Sequence, residues 1–228
     1  MPKQQRKPEE IEAVREHILA QAVKLMTKEG FHSFSMRKLA APLGIAAKTI
    51  YNYFRNKDEL YLAILTRGFE ELHGTCQAAY DKYTEPFDRL DAMLEAFMTF
   101  GIEQANFYNL MFTWHVPKYN DYVGTAMEPT ARLELETALR APELFVQAIR
   151  DCVEGPSSLS DKDARFIMMR LWTHLHGFIA GYNNTLLDYM HENPATLQPV
   201  ILERIKKTLR NELKRYGPKG VKLIKGAS

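Results

Sequence analysis

Residues 44–56 read Gly-Ile-Ala-Ala-Lys-Thr-Ile-Tyr-Asn-Tyr-Phe-Arg-Asn. Gly44 opens a tight turn, and the residues from about Ala46 to Phe54 are predicted to form one short helix. Ile50 and Phe54 stand four apart and Ile45 lies in the turn, so one stripe is set to bury against neighbouring helices. Lys48, Thr49, Asn52 and Tyr53 then face outward. A rigidly held helix that presents donors, acceptors and a positive charge suits a surface that reads nucleic acid.

The residues before this stretch supply the helices it needs. Ser35 is placed to cap a second short helix carrying Arg37, Lys38, Leu39 and Ala40 and ending at Leu43-Gly44. The order is therefore helix, turn, helix, with glycine at the sharp turn. Two residues break local rules. Pro42 removes a backbone donor and predicts a distorted last turn, and Ala46, where a serine or threonine would cap, leaves amides without a side-chain partner. Further upstream, Pro8 followed by Glu9, Glu10 and Glu12 marks a helix start. Ile11, Val14, Ile18, Ala22 and Leu25 keep helical spacing, Lys24 and Lys28 favour the far end, and Gly30 stops it. Residues 1–8, with Lys3, Arg6 and Lys7, read as a flexible basic arm.

Bulk properties limit what the rest can be. A chain of 228 residues with 46% apolar content can bury a full core, which excludes disorder. It contains no run of eighteen or more apolar residues and no hydrophobic stretch at its start, so neither a membrane span nor a signal peptide is visible, and a cytoplasmic protein is expected. Its two cysteines, Cys76 and Cys152, lack metal-ligand spacing and fit buried thiols in a reducing compartment. The net charge of +2 divides unevenly: residues 1–68 carry twelve Lys or Arg and seven Asp or Glu, a balance of +5, and the remainder carries −3. Positive charge is thus concentrated around the opening stretch, as a nucleic-acid footprint requires.

Residues 9–65 resemble the DNA-binding domain of the tetracycline-repressor (TetR) family of transcriptional regulators. The resemblance is carried by Ala22, Gly30 and Phe31, by Ser35-Met36-Arg37-Lys38-Leu39-Ala40, by Gly44-Ile45, by Thr49-Ile50-Tyr51-Asn52-Tyr53-Phe54, and by Asn56-Lys57-Asp58-Glu59-Leu60. It implies that Ser35 and Arg37 approach phosphates and base edges, and that Lys48, Thr49, Tyr51, Asn52 and Tyr53 form the recognition surface. Lys57 matches a lysine that anchors a phosphate. Asn52 is the favoured base reader, because its amide can pair with both major-groove edge atoms of adenine. For Tyr51 and Tyr53 partial core packing competes with direct contact.

Beyond a helix expected from Asn56 to about Tyr80, apolar residues recur at three and four. Pro86, Gly101, Pro117, Pro129, Pro142, Gly155-Pro156 and Pro194 punctuate them, and nothing alternates as strands do. An all-α protein follows, with a helix-turn-helix domain at 1–65 and a larger helical domain at 66–228. Leu90, Met93, Leu94, Phe97, Met98, Phe100 and Ile102 lie on a helix apolar around most of its circumference. The run Phe107-Tyr108-Asn109-Leu110-Met111-Phe112-Thr113-Trp114-His115 is rich in aromatics and methionine. Such residues usually fill core, but with polar groups interleaved they also suit an adaptable cavity. Candidates for its lining are Phe97, Phe107, Tyr108, Met111, Phe112, Trp114, His115, Trp172, His176 and Tyr182, and the polar linker from Pro117 to Pro129 is a candidate cover.

The stretch Trp172-Thr173-His174-Leu175-His176-Gly177-Phe178-Ile179-Ala180-Gly181-Tyr182 resembles a Trp and His-Gly pattern in one subgroup of TetR C-terminal domains. Residues two apart on a helix point in different directions, so His174 and His176 do not make a metal pair, and no cofactor is expected. The last long helix carries Leu197, Ile201, Ile205, Leu209 and Leu213, with Val200 and Leu202 beside them. The resemblance implies that helices at about 160–185 and 195–216 pair with their copies in a homodimer. The resulting expectation is a homodimeric regulator, a repressor that binds double-stranded operator DNA and is released by a lipophilic or amphipathic small molecule. The alternative makes the helical body a protein-interaction module. An enzyme built on His115, His174 or His176 finds no paired carboxylates, phosphate loop or nucleophile beside a base.

Overall fold

The computed structural model describes residues 7–153 and 159–216, with side chains through Leu213. The expected arm up to Arg6, the Gly155-Pro156 break and the lysine-bearing tail from Gly217 lie outside the described residues. The described chain is all-α, without a strand. Its helices are α1 (Pro8–Glu29), α2 (Met36–Leu43), α3 (Ala47–Ile50), α4 (Lys57–Lys82), α5 (Pro86–Glu103) and α6 (Ala105–Tyr108), the last followed by a π-helical turn at Asn109–Thr113. After these come α7 (Tyr119–Tyr122), α8 (Glu128–Asp151), α9 (Asp161–Asn183) and α10 (Leu197–Tyr216). No described helix is long and apolar enough to cross a membrane.

Two compact units divide the chain. The first combines residues 7–68 with 110–137, and the second combines 69–109 with 138–216.

In the first unit, Pro8 occupies the start of α1, and the Glu10 carboxylate accepts the Lys7 amide at 3.3 Å. Gly30 ends the helix at φ 82°, its amide donating to the Met26 carbonyl. Ile18, Leu19, Ala22, Val23 and Met26 are buried together with Phe34, Met36, Leu39, Ile50 and Phe54. The apolar spacing of α1 begins earlier than its burial. Ile11 is 43% exposed, and Val14 and Leu25 are only half-buried. Helical periodicity marks a face, but only packing neighbours decide which of its turns are covered.

The α2–α3 corner follows local chemistry closely. The Ser35 hydroxyl oxygen accepts the Lys38 amide at 3.3 Å, capping α2. Gly44 takes the left-handed conformation (φ 64°, ψ 26°), which costs other residues about 1–2 kcal/mol, and lets Ile45 donate back to the Ala40 carbonyl. Despite Pro42, α2 runs to Leu43 and closes with a tight bond from Gly44 to Ala41 at 3.1 Å. The regular part of α3 is shorter than the expected Ala46–Phe54. It covers Ala47–Ile50, and the chain then tightens into a turn in which Asn52 bonds to Thr49 and Tyr53 to Ile50. Ala46 supplies no side-chain cap, and a start without a cap weakens so short a helix.

The second unit is organised around α5, whose Phe87, Leu90, Met93, Leu94, Phe97, Met98, Phe100 and Gly101 are all buried. Gly101 allows close approach of α9: a Cβ there would lie 2.7 Å from the Ile179 side chain, and the Gly101 carbonyl accepts from the Asn183 amide at 2.8 Å. Leu202, Ile205, Leu209 and Leu213 of α10 are buried, whereas Val200 is exposed. Ion pairs link α10 to its neighbours, Arg210 to Asp91 at 2.7 Å, Lys206 to Glu95 at 2.6 Å, and Glu212 to Arg170. Cys76 and Cys152 are free and fully buried, and burial raises both thiol pKa values, that of Cys76 to about 12.

Candidate nucleic-acid interface

The α3 turn is anchored from beneath. Ile50 and Phe54 are completely enclosed, and the Arg15 guanidinium of α1 lies 4.8 Å from the centre of the Phe54 ring. With those side chains pinned inward, the intervening ones must point out. Arg37, Lys48, Tyr51 and Asn52 are all exposed, Tyr51 by 50%. Ser35, Thr49 and Tyr53 are half-buried. Ser35 is already occupied as a cap, and Thr49 borders a groove of about 330 Å³ with Val14, His17, Leu43 and Ile45.

Charge around the element is partly neutralised. Lys38 pairs with Glu29 at 2.7 Å, and Arg55 pairs with Glu59 at 3.2 Å. Among the described residues, Arg37 and Lys48 form no ion pair, so they are the cations beside the turn left open to a phosphate. Lys57 also has a structural contact. Its ammonium donates to the Phe31 carbonyl at 2.5 Å and sits 3.9 Å from the centre of the Phe31 ring, and burial lowers its pKa. It therefore ties the start of α4 to the corner after α1, and any phosphate contact uses its remaining donors. Arg15, which steadies Phe54, was not singled out from the sequence. No local pattern marks it, because a cation over a ring 39 positions away is a product of folding.

The cavity candidates fall in both units. In the second, Phe97 and Tyr108 are buried edge to face at 6.2 Å, and Phe97 meets Phe145 similarly. The Tyr108 hydroxyl and His176 Nδ1 are 3.0 Å apart. Trp172 stacks on His176 at 4.6 Å, and burial lowers the His176 pKa, favouring the neutral ring. Tyr182 stacks on Phe178, and Phe107 is half-buried. Met111, Phe112, Trp114 and His115 belong to the first unit. There Met111 is buried, Phe112 and Trp114 are half-buried, and His115 is exposed. His174 uses its Nδ1 on the Arg170 carbonyl at 2.9 Å. Among the described residues no cluster of three or more His, Cys, Asp or Glu is arranged to hold a metal.

The second unit leaves large apolar side chains exposed: Phe166, Met169 and Trp172 of α9 by 50%, 54% and 37%, and Val200 of α10 by 49%. A groove of about 530 Å³ runs between these helices, lined in part by Arg170, Gly177, Phe178, Ile205 and Leu209.

With this geometry in place, comparison with known proteins is decisive. Residues 18–64 match the model for bacterial regulatory proteins of the tetR family, and residues 90–194 match a tetracyclin repressor-like C-terminal domain. The chain belongs to the TetR family. It is 30% identical over 157 residues to the HTH-type transcriptional activator FasR of Mycolicibacterium smegmatis, covering 69% of this chain and 66% of that protein. It is 42% identical over 72 residues to an uncharacterized HTH-type transcriptional regulator of Haemophilus influenzae, covering 32% and 38%. The chain thus matches less than two thirds of the length of these curated relatives. Among solved structures, a TetR-like transcriptional regulator from Rhodococcus sp. RHA1 superposes with a TM-score of 0.63 at 20% identity, covering 89% of this chain and 97% of that one. The fatty acid degradation regulator FadR from Bacillus halodurans gives 0.62 at 14%, covering 90% and 96%. These two likenesses establish the fold. Residues 18–64 are thus a helix-turn-helix domain of the TetR type.

Proposed function

We propose that the protein works in the cytoplasm as a homodimer that recognises a specific operator, with DNA occupancy controlled by a lipophilic or amphipathic small molecule. The observation that carries this reading is that Lys48, Tyr51 and Asn52 are exposed on the α3 turn, whose Ile50 and Phe54 are fully enclosed, with Arg37 of α2 exposed as well. In this reading residues 1–65 are the DNA-reading domain and 66–228 the ligand-binding and dimerisation domain. Each subunit offers these exposed side chains to one major groove, so the operator has two related half-sites. The apolar side chains on α9 supply the surface through which two copies associate. The aromatic and methionine residues around Tyr108 and His176 supply the apolar environment for an effector. The effector acts by preferring the state that does not fit the operator, and a tenfold loss of occupancy needs only about 1.4 kcal/mol of preference. Release from the operator makes the protein a repressor. The FasR relative is named as an activator, which favours a second reading in which the bound state turns transcription on. Transcription from an operator-bearing template, with and without the protein, separates the two.

The test is selection of binding sites from random duplex DNA by the purified protein at two salt concentrations. A palindromic site enriched at both is the expected result. Asn52→Ala is expected to change the preferred base at one position of each half-site, at a cost of about 1–3 kcal/mol on the original sequence, while leaving the melting temperature in place. Failure to enrich any sequence, with binding that fades uniformly as salt rises, defeats the proposal.

A further inference from the structure

The turn after α9 holds large apolar side chains in water. Leu186, Tyr189 and Met190 are 56%, 86% and 80% exposed. The turn is nonetheless well tied. The Leu186 amide donates to the Gly181 carbonyl at 2.9 Å, and the Met190 and His191 amides both donate to the Leu187 carbonyl, at 3.0 and 2.9 Å. Leu187 packs so closely on Gly181 that a Cβ there would lie 3.1 Å from its side chain. Among the described residues Thr185 is the one non-glycine at positive φ, 58°, an unfavourable conformation for a β-branched side chain. Such strain persists only where the surrounding structure enforces it. Three exposed apolar side chains on a turn built in this way mark a contact surface.

The same unit carries a receptor of matching chemistry. The groove of about 530 Å³ between α9 and α10 is apolar along Leu171, Phe178, Ile205 and Leu209, and its cations are Arg170 and Arg204. No acidic residue lines it. Arg170 is paired with Glu212, whereas Arg204 is exposed and forms no ion pair among the described residues. The turn has the opposite character. Residues 186–192 contain Asp188 and Glu192 and neither lysine nor arginine, and both carboxylates are exposed and outside any ion pair among the described residues. Leu187 belongs to the turn and also lines the groove, so the two adjoin. A chain that bears both a knob and a complementary groove satisfies both by pairing with its own copy, because a two-fold axis makes two identical contacts and leaves neither open.

We propose that the turn 186–190 of each subunit seats in the α9–α10 groove of a second copy, with Tyr189 and Met190 against its apolar lining and Asp188 meeting Arg204 of the partner subunit. This contact rests on the homodimer reading and adds to it an exchanged segment outside the long helices. Apolar burial of the turn contributes affinity, and the charge pair fixes its register.

Two opposite charge reversals in the full-length protein test the exchange, read as dissociation constants by fluorescence-detected sedimentation velocity. Asp188→Arg alone and Arg204→Asp alone each set like charges against one another at both contacts of the dimer, and each is expected to weaken association roughly a hundredfold. Mixing the two variants sets opposite charges together at both contacts, so a heterodimer within about threefold of wild-type affinity is expected. A pair formed inside one chain gives no such recovery. Single variants that associate as tightly as the wild type, or a mixture no tighter than its components, overturn the exchange and leave the homodimer reading standing. A wild type that stays monomeric overturns both. If a charge reversal does not fold, Tyr189→Ser with Met190→Ser decides the matter. Both side chains are largely in water in the single chain, so the subunit keeps its circular dichroism spectrum. Association at least about tenfold weaker supports the exchange, and unchanged association refutes it.

Discussion

Ile50→Ala is expected to destabilise the protein by about 2–5 kcal/mol and to abolish sequence-specific DNA binding. Ile50 is the fully buried residue of α3, four positions before Phe54, and the two hold the exposed side chains of the turn in place. Removing three carbons leaves a void beneath a helix of four regular residues that has no side-chain cap of its own. The loss is large against a typical total stability of about 5–15 kcal/mol. Tyr51→Ala is the matched control. It changes a side chain that is half in water, so unfolding should shift by no more than about 0.5 kcal/mol, while DNA binding weakens. Urea denaturation and DNA titration of both variants check the pair. If Ile50→Ala unfolds at the wild-type midpoint, the anchor has been wrongly assigned.

The second large effect concerns the face of α9. Replacing both Phe166 and Met169 by glutamate is expected to convert the proposed dimer to monomers. In a two-fold interface every substitution occurs twice. If burying unpaired carboxylates costs only about 2 kcal/mol per copy, the total of about 4 kcal/mol weakens association roughly a thousandfold. Both side chains are more than a third exposed in the single chain, so the subunit itself should keep its fold and its circular dichroism spectrum. Sedimentation velocity over a range of concentrations reads the outcome directly. A variant that sediments like the wild type rules out this face as the contact between copies.

Much of the DNA-reading domain was legible in the residues themselves. Ser35 caps α2, Gly44 makes the left-handed turn, and Ile50 and Phe54 turn inward, because each of these properties depends on chemistry within a few positions. What stayed hidden depended on partners far along the chain. Lys57 matches a phosphate-anchoring lysine, but nothing local announced its bond to Phe31, made across 26 positions. Tyr108 and His176, 68 positions apart, were both named as cavity candidates, but nothing local revealed that they bond to each other. Glu134 is only 8% exposed although it sits among Arg132, Glu136 and other charged residues of α8, where a solvated charge is the natural reading. The helical spacing of α1 likewise runs to Ile11, which is 43% exposed.

The two enclosed sulfurs give the molecule a built-in clock. Cys76 in α4 and Cys152 just after α8 are held as neutral thiols, and thiols react with alkylating reagents as thiolates. In the intact fold both are therefore silent. Each becomes reactive only during the intervals when its own helix gives way, so the pace of labelling at either site counts those intervals without any probe being introduced. Labels appearing at both sites together would report a single cooperative opening, and a label at one site first would identify the part of the second unit that yields before the rest.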